Sequence, residues 1–124
     1  MDIKASEIEH INVRHDGQLM LAIGKNKLET HWKNKSILWS ELVNRLSKTL
    51  RTQETYTEYR KMSKTEKDRV KDVGGFVGGS LKNGRRKAEN IANRSIITLD
   101  IDYANKDIWE DITLLNDYAC LMYS

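Results

Sequence analysis

Asp100 and Asp102 are the residues of this 124-residue sequence whose type and spacing best suit a chemical task. They lie in Ser95-Ile96-Ile97-Thr98-Leu99-Asp100-Ile101-Asp102-Tyr103-Ala104, the strongest strand signal in the chain. On an extended strand the side-chain period of two puts both carboxylates on one face with Ile96 and Thr98, and Ile97, Leu99, Ile101 and Tyr103 on the other. Two strand steps separate their Cα atoms by about 6.6 Å, so both can lean onto one hard divalent cation or bridge two. Burying two like charges this close is costly without a counter-ion, a conflict that a metal resolves. A metal pair about 3.5 to 4 Å apart supports phosphoryl or nucleotidyl transfer, activating the attacking oxygen and stabilising the leaving one. A solvated strand end carries the same two residues, and spacing alone leaves both readings open.

Upstream lies the one compositionally odd segment, in which Gly74, Gly75, Gly78, Gly79 and Gly84 supply five of the seven glycines. It reads as a loop or bent hairpin. Lys82, Arg85, Arg86, Lys87 and Arg94 follow, with Glu89 the one acid among them. The pattern is neither a P-loop nor a dinucleotide fingerprint. Consecutive glycines do let backbone N–H groups approach an anion, and guanidinium forks suit a phosphate. A hairpin with a basic coat explains the same residues.

The elements that must position these groups are legible in part. Gln18-Leu19-Met20-Leu21-Ala22-Ile23 reads as a buried strand ended by Gly24, with Asp16-Gly17 as the turn before it. Leu38, Leu42, Val43, Leu46 and Leu50 form a helical stripe with Ser36 as its N-cap. Residues 52–72 read as two short polar helices, one over 55–62 and one opened by the capping box Ser63-Lys64-Thr65-Glu66. Ile108, Trp109, Ile112 and Leu115 give a last helical stripe, and residues 118–123 another buried strand. With the strand at 95–104 this predicts a β-α-β unit and an α/β (α+β) class with a mixed sheet and flanking helices.

Size allows one domain. A mean hydropathy of −0.66 with 39% hydrophobic residues describes a folded domain with a polar surface. No apolar run approaches a membrane span and Met1-Asp2-Ile3-Lys4 opens no signal region, so a cytoplasmic location is expected. The single cysteine, Cys120, excludes a disulfide scaffold and a cysteine zinc site. His10, His15 and His31 lack metal-ligand spacing, and Trp32 and Trp39 suit a core better than a base-stacking platform. Residues 1–99 hold 20 Lys and Arg against 12 Asp and Glu, whereas residues 100–124 hold one against six. A basic body beside an acidic segment raises nucleic acid as a partner.

The run Lys71-Asp72-Val73-Gly74-Gly75-Phe76-Val77-Gly78-Gly79, followed by Gly84-Arg85-Arg86-Lys87 and by Arg94 and the 95–104 strand, resembles the N-terminal primase-polymerase region of phage and prophage replication proteins, the virulence-associated protein E-like group. The resemblance is densest over residues 71–104. It implies an RRM-like core of the archaeo-eukaryotic primase superfamily, with Asp100 and Asp102 as metal-binding catalytic carboxylates for Mg²⁺ or Mn²⁺. It also implies nucleotide or template contacts at Gly74, Gly75, Gly78, Gly79, Arg85, Arg86, Lys87 and Arg94. Single-stranded DNA and nucleotides are the expected partners, with a helicase domain or another replication protein beside them and no membrane. The family's second motif, Ser-x-His, would begin at Ser124, so the resemblance implies that residues 1–124 are a single N-terminal segment truncated within the catalytic core. Negligible primer synthesis is expected of this polypeptide alone. Two other classes stand against the primase-polymerase reading: a non-enzymatic module that binds nucleic acid or protein, derived from a truncated replication protein, and an Asp-x-Asp phosphatase, which Ala104 fits poorly.

Overall fold

The structure, a computed structural model, describes residues 15–114 and 119–122. The apolar run after Gly17 forms strand β1 (Gln18–Gly24), and the polar segment Lys33–Leu38 returns beside it as β2. They pair antiparallel, with Leu21 opposite Lys35 and Ala22 opposite Asn34. The chain then enters helix α1 (Trp39–Leu46), continues through the short helices α2 (Tyr56–Lys61) and α3 (Lys64–Lys71), and comes back to β1 as β3 (Gly75–Val77). The first sheet has the order β2-β1-β3. One residue later β4 (Gly79–Leu81) leaves it to form an antiparallel hairpin with β5 (Ile91–Arg94), by way of a 3₁₀ turn at Ala88–Asn90. Helix α4 (Ile108–Leu114) is the last helix among the described residues. Helices with antiparallel sheets make this an α+β fold.

Alternation along β1 divides the core into two clusters, one on each face of the sheet. Leu21 packs with Ile37 and Leu42 of α1, joined by Leu19, Ile23, Trp39, Phe76 and Ile96. Ala22 packs on the other face with Trp32 and Leu81, joined by Val77 and Ile91. Leu21 and Ala22 are both 0% exposed, so each sheet face is closed where β1 crosses it. The hairpin is docked by hydrogen bonds as well. The Asn34 amide both donates to the Leu81 carbonyl and accepts from the Leu81 N–H, each at 2.9 Å, in the manner of a ladder residue.

Several sequence expectations are corrected. Ser36 is a β2 residue opposite Met20 and caps nothing. Helix α1 begins at Trp39, its first turn held by Asp16, which accepts from the Ser40 N–H at 2.8 Å and the Ser40 hydroxyl at 2.6 Å, and by Glu41, which accepts from the Leu38 N–H at 2.9 Å. Leu50 lies beyond that helix and is exposed. Residues 95–104 do not form a strand. The ladder ends at Arg94, the Gly78 carbonyl accepts from the N–H groups of both Ser95 and Ile96, and the following residues are irregular to a turn at 102–103. The described strand pairs are all antiparallel, and residues 119–122 form no strand, so the expected β-α-β unit is absent among the described residues. Residues 118 and 123 of its last strand lie outside them.

Candidate nucleotide and metal site

The two polar helices form where their capping boxes place them. Thr55 and Ser63 accept from the N–H groups of Glu58 and Glu66 at 3.3 Å, while those glutamates accept in return from the Thr55 and Ser63 N–H groups at 2.7 and 2.8 Å. Each hydroxyl also donates to the same carboxylate, and these bonds hold both glutamates below their ordinary pKa, the backbone bond leading for Glu58 and the side-chain bond for Glu66. After α3, Asp72 accepts from the Lys27 N–H with both carboxylate oxygens at 3.0 Å and ties the glycine segment to the loop after β1.

The glycines of that segment answer to packing. Gly74 has φ +92°, and a Cβ on it would stand 2.5 Å from the Gly24 carbonyl oxygen. A Cβ on Gly78 would meet Ile96 at 2.8 Å, and one on Gly79 would overlap the Asn93 carbonyl. Gly84, with φ +75°, lies against the His31 ring. Gly75 alone of the four candidate glycines leaves ordinary room for a side chain, its nearest neighbour being Trp32 at 3.9 Å. Gly78 and Gly79 are themselves buried.

The basic block divides by what its side chains do. Arg86 lies over the ring of buried Trp32, 4.7 Å from the centroid, and shields it. Trp32 is fixed by its own N–H to the Gly84 carbonyl at 2.7 Å and by its indole N–H to the Glu29 carbonyl at 3.1 Å, as a core residue should be. Lys87 faces Glu89 at 4.0 Å with both side chains well exposed, a pair of little energetic weight. Arg85 and Arg94 are exposed, and their guanidinium groups have no partner among the described residues.

Asp100 and Asp102 are also exposed, and neither makes a hydrogen bond or ion pair among the described residues. Without a strand beneath them they are not held on a common face. Tyr103 has φ +58° and turns the chain away from the extended path, and in the turn before α4 the Asn105 side chain accepts from the Asp107 N–H at 3.1 Å. Two carboxylates are the right donor type for a hard divalent cation, which takes about six oxygens, or more. Among the described residues no group of three or more His, Cys, Asp and Glu stands together as a metal would need, so no third such ligand joins the pair there.

Sequence reasoning missed the Asn34 clamp on Leu81, the Asn93 carboxamide that accepts from both the N–H and the hydroxyl of Ser80 at 3.0 Å, and Asp16 as the cap of α1. The lysines at 33 and 35 around a polar run are the signal of an edge strand that β2 in fact carried.

A family model describing the VapE N-terminal domain matches residues 4–124. The chain belongs to that family. Membership of the VapE N-terminal domain family associates it with phage replication proteins. No curated protein and no solved structure matches it. No helix among the described residues is long and apolar enough to cross a membrane.

Proposed function

We propose that this VapE N-terminal domain is the front portion of a phage-type DNA primase-polymerase. In this reading Asp100 and Asp102 provide the first two carboxylates of a Mg²⁺ or Mn²⁺ site, and Arg85 and Arg94, with Arg86 and Lys87, face nucleotide or single-stranded template. The observation that carries it is the pair of exposed, unpartnered aspartates following exposed, unpartnered arginines in a chain that matches the family over residues 4–124. When bound, the metal would supply charge neutralisation at the transferring phosphate and a more nucleophilic primer hydroxyl. The arginines would hold phosphate oxygens by forked hydrogen bonds.

The test is Mn²⁺ titration followed by NMR line broadening. Broadening centred on residues 98–104 and lost in Asp100→Asn/Asp102→Asn is expected. Because neither aspartate holds any part of the fold through a hydrogen bond or ion pair among the described residues, the double variant should keep its spectrum elsewhere. Absence of localised broadening would overturn the metal site. A non-enzymatic module that binds nucleic acid or protein would then be favoured, and one observation already supports it: the aspartates lie on no strand.

A further inference from the structure

Helices α2 and α3 bury none of their residues. Within residues 56–71 six Lys and Arg stand against Glu58, Glu66 and Asp68. Two of those three acids are turned back onto the helix N-termini by the capping boxes, which leaves Asp68 as the acid not so engaged. Three of the six cations are instead arranged on tyrosines. Arg60 lies 5.9 Å from the centre of the Tyr56 ring, and Lys67 and Lys71 lie 5.6 and 5.8 Å from that of Tyr59. None of these cations forms an ion pair among the described residues, where the one salt bridge is Lys87 to Glu89. Tyr56 itself is 74% exposed. A helix pair with no fully buried residue, cations in excess of acids and an open aromatic ring has the composition of a single-strand-binding surface, in which cations track phosphates and rings stack on bases.

We infer that α2 and α3 form a nucleic-acid contact separate from the glycine and arginine segment, taking the phosphates of a single strand on Arg60, Lys64 and Lys67 and a base against Tyr56. This rests on the reading that the chain works on nucleic acid, and adds a surface to it. The cations held over the rings are already partly ordered, so less side-chain freedom is lost when a phosphate arrives.

The experiment is fluorescence anisotropy of the 124-residue chain with a labelled oligothymidylate across a range of salt. In Arg60→Gln/Lys64→Gln/Lys67→Gln the slope of log affinity against log salt should fall by about 2, at about 0.7 for each single-strand phosphate left without its cation. In Tyr56→Ala affinity should fall about 5- to 150-fold. Both variants should keep the unsubstituted circular dichroism spectrum. Unchanged affinity and slope in both, with weakened binding in Arg85→Gln/Arg94→Gln, would overturn the helix surface and leave the nucleic-acid reading standing. Equal affinity for a duplex together with no effect of Tyr56→Ala would overturn the single-strand assignment. No binding by the unsubstituted chain would overturn the nucleic-acid reading and this surface together.

Discussion

A methyl group on Gly79 would overlap the Asn93 carbonyl across the hairpin, so Gly79→Ala must push β4 from β5 where Gly79 faces Arg94, two residues before Leu81 and Ile91 close the second cluster. The expected cost is about 3 kcal/mol, an overpacking figure. Gly17→Ala is the control, since its Cβ would meet nothing within 4 Å and its φ is ordinary; it should stay within about 0.5 kcal/mol of the unsubstituted chain. Urea denaturation of the two variants checks the contrast. Equal stability would mean that the glycines are not set by packing and would return weight to an anion-binding loop. An anion cradle and a close backbone approach both require the absence of a Cβ, which is why the glycine cluster is visible in the sequence while its reason is not. The aspartates show the same limit: their identity and spacing are legible, but the strand expected to align them is not formed.

Among the elements, those whose ends are written locally are the legible ones. The boxes Thr55 with Glu58 and Ser63 with Glu66 lie within four residues and fix α2 and α3, whereas the first turn of α1 needs, besides the local Glu41, Asp16 from 24 residues before Ser40. Alternation over 95–104 marks strand-like side chains but cannot supply a neighbour; Ile97 and Leu99 end up 85% and 78% exposed. The Asp16 cap also has a pH signature. Bonds from the Ser40 hydroxyl, and then from its N–H, hold the Asp16 pKa below its ordinary value. With the folded pKa below the unfolded one, its contribution to stability is complete above about pH 4 and is lost as pH falls through the folded value. Asp16→Asn lacks this titration, while the lowered Glu58 and Glu66 remain in both proteins and cancel in the comparison. The stability difference between Asp16→Asn and the unsubstituted chain should therefore be constant from pH 7 to pH 5 and shrink below about pH 4. Urea midpoints at pH 7, 5 and 3 check this, and an unchanged difference at pH 3 would remove the charged cap.

At the scale of the molecule, what no local pattern shows is that β3 and β4, one residue apart, belong to different sheets, and that β1 serves two clusters through adjacent residues. Between Ile91, packed in one cluster, and Ile96, packed in the other, the chain passes from one face to the other, held at Ser95 by the Met20 N–H to its hydroxyl at 3.0 Å. The shared strand predicts one unfolding transition. Leu21→Ala should cost about 2 to 5 kcal/mol by opening a cavity beneath α1, a large share of the roughly 5 to 15 kcal/mol that holds a small domain. It should lower the stability of the opposite cluster equally, because Ala22 cannot keep its place once β1 is released. Trp32 reports that opposite cluster, so the Trp39→Phe/Trp109→Phe background isolates its fluorescence. In that background, with and without Leu21→Ala, the fluorescence and far-ultraviolet circular dichroism transitions in urea should coincide and move together. A Trp32 transition left in place while the dichroism shifts would show two independently stable faces, and β1 would then be a boundary between them instead of their common support.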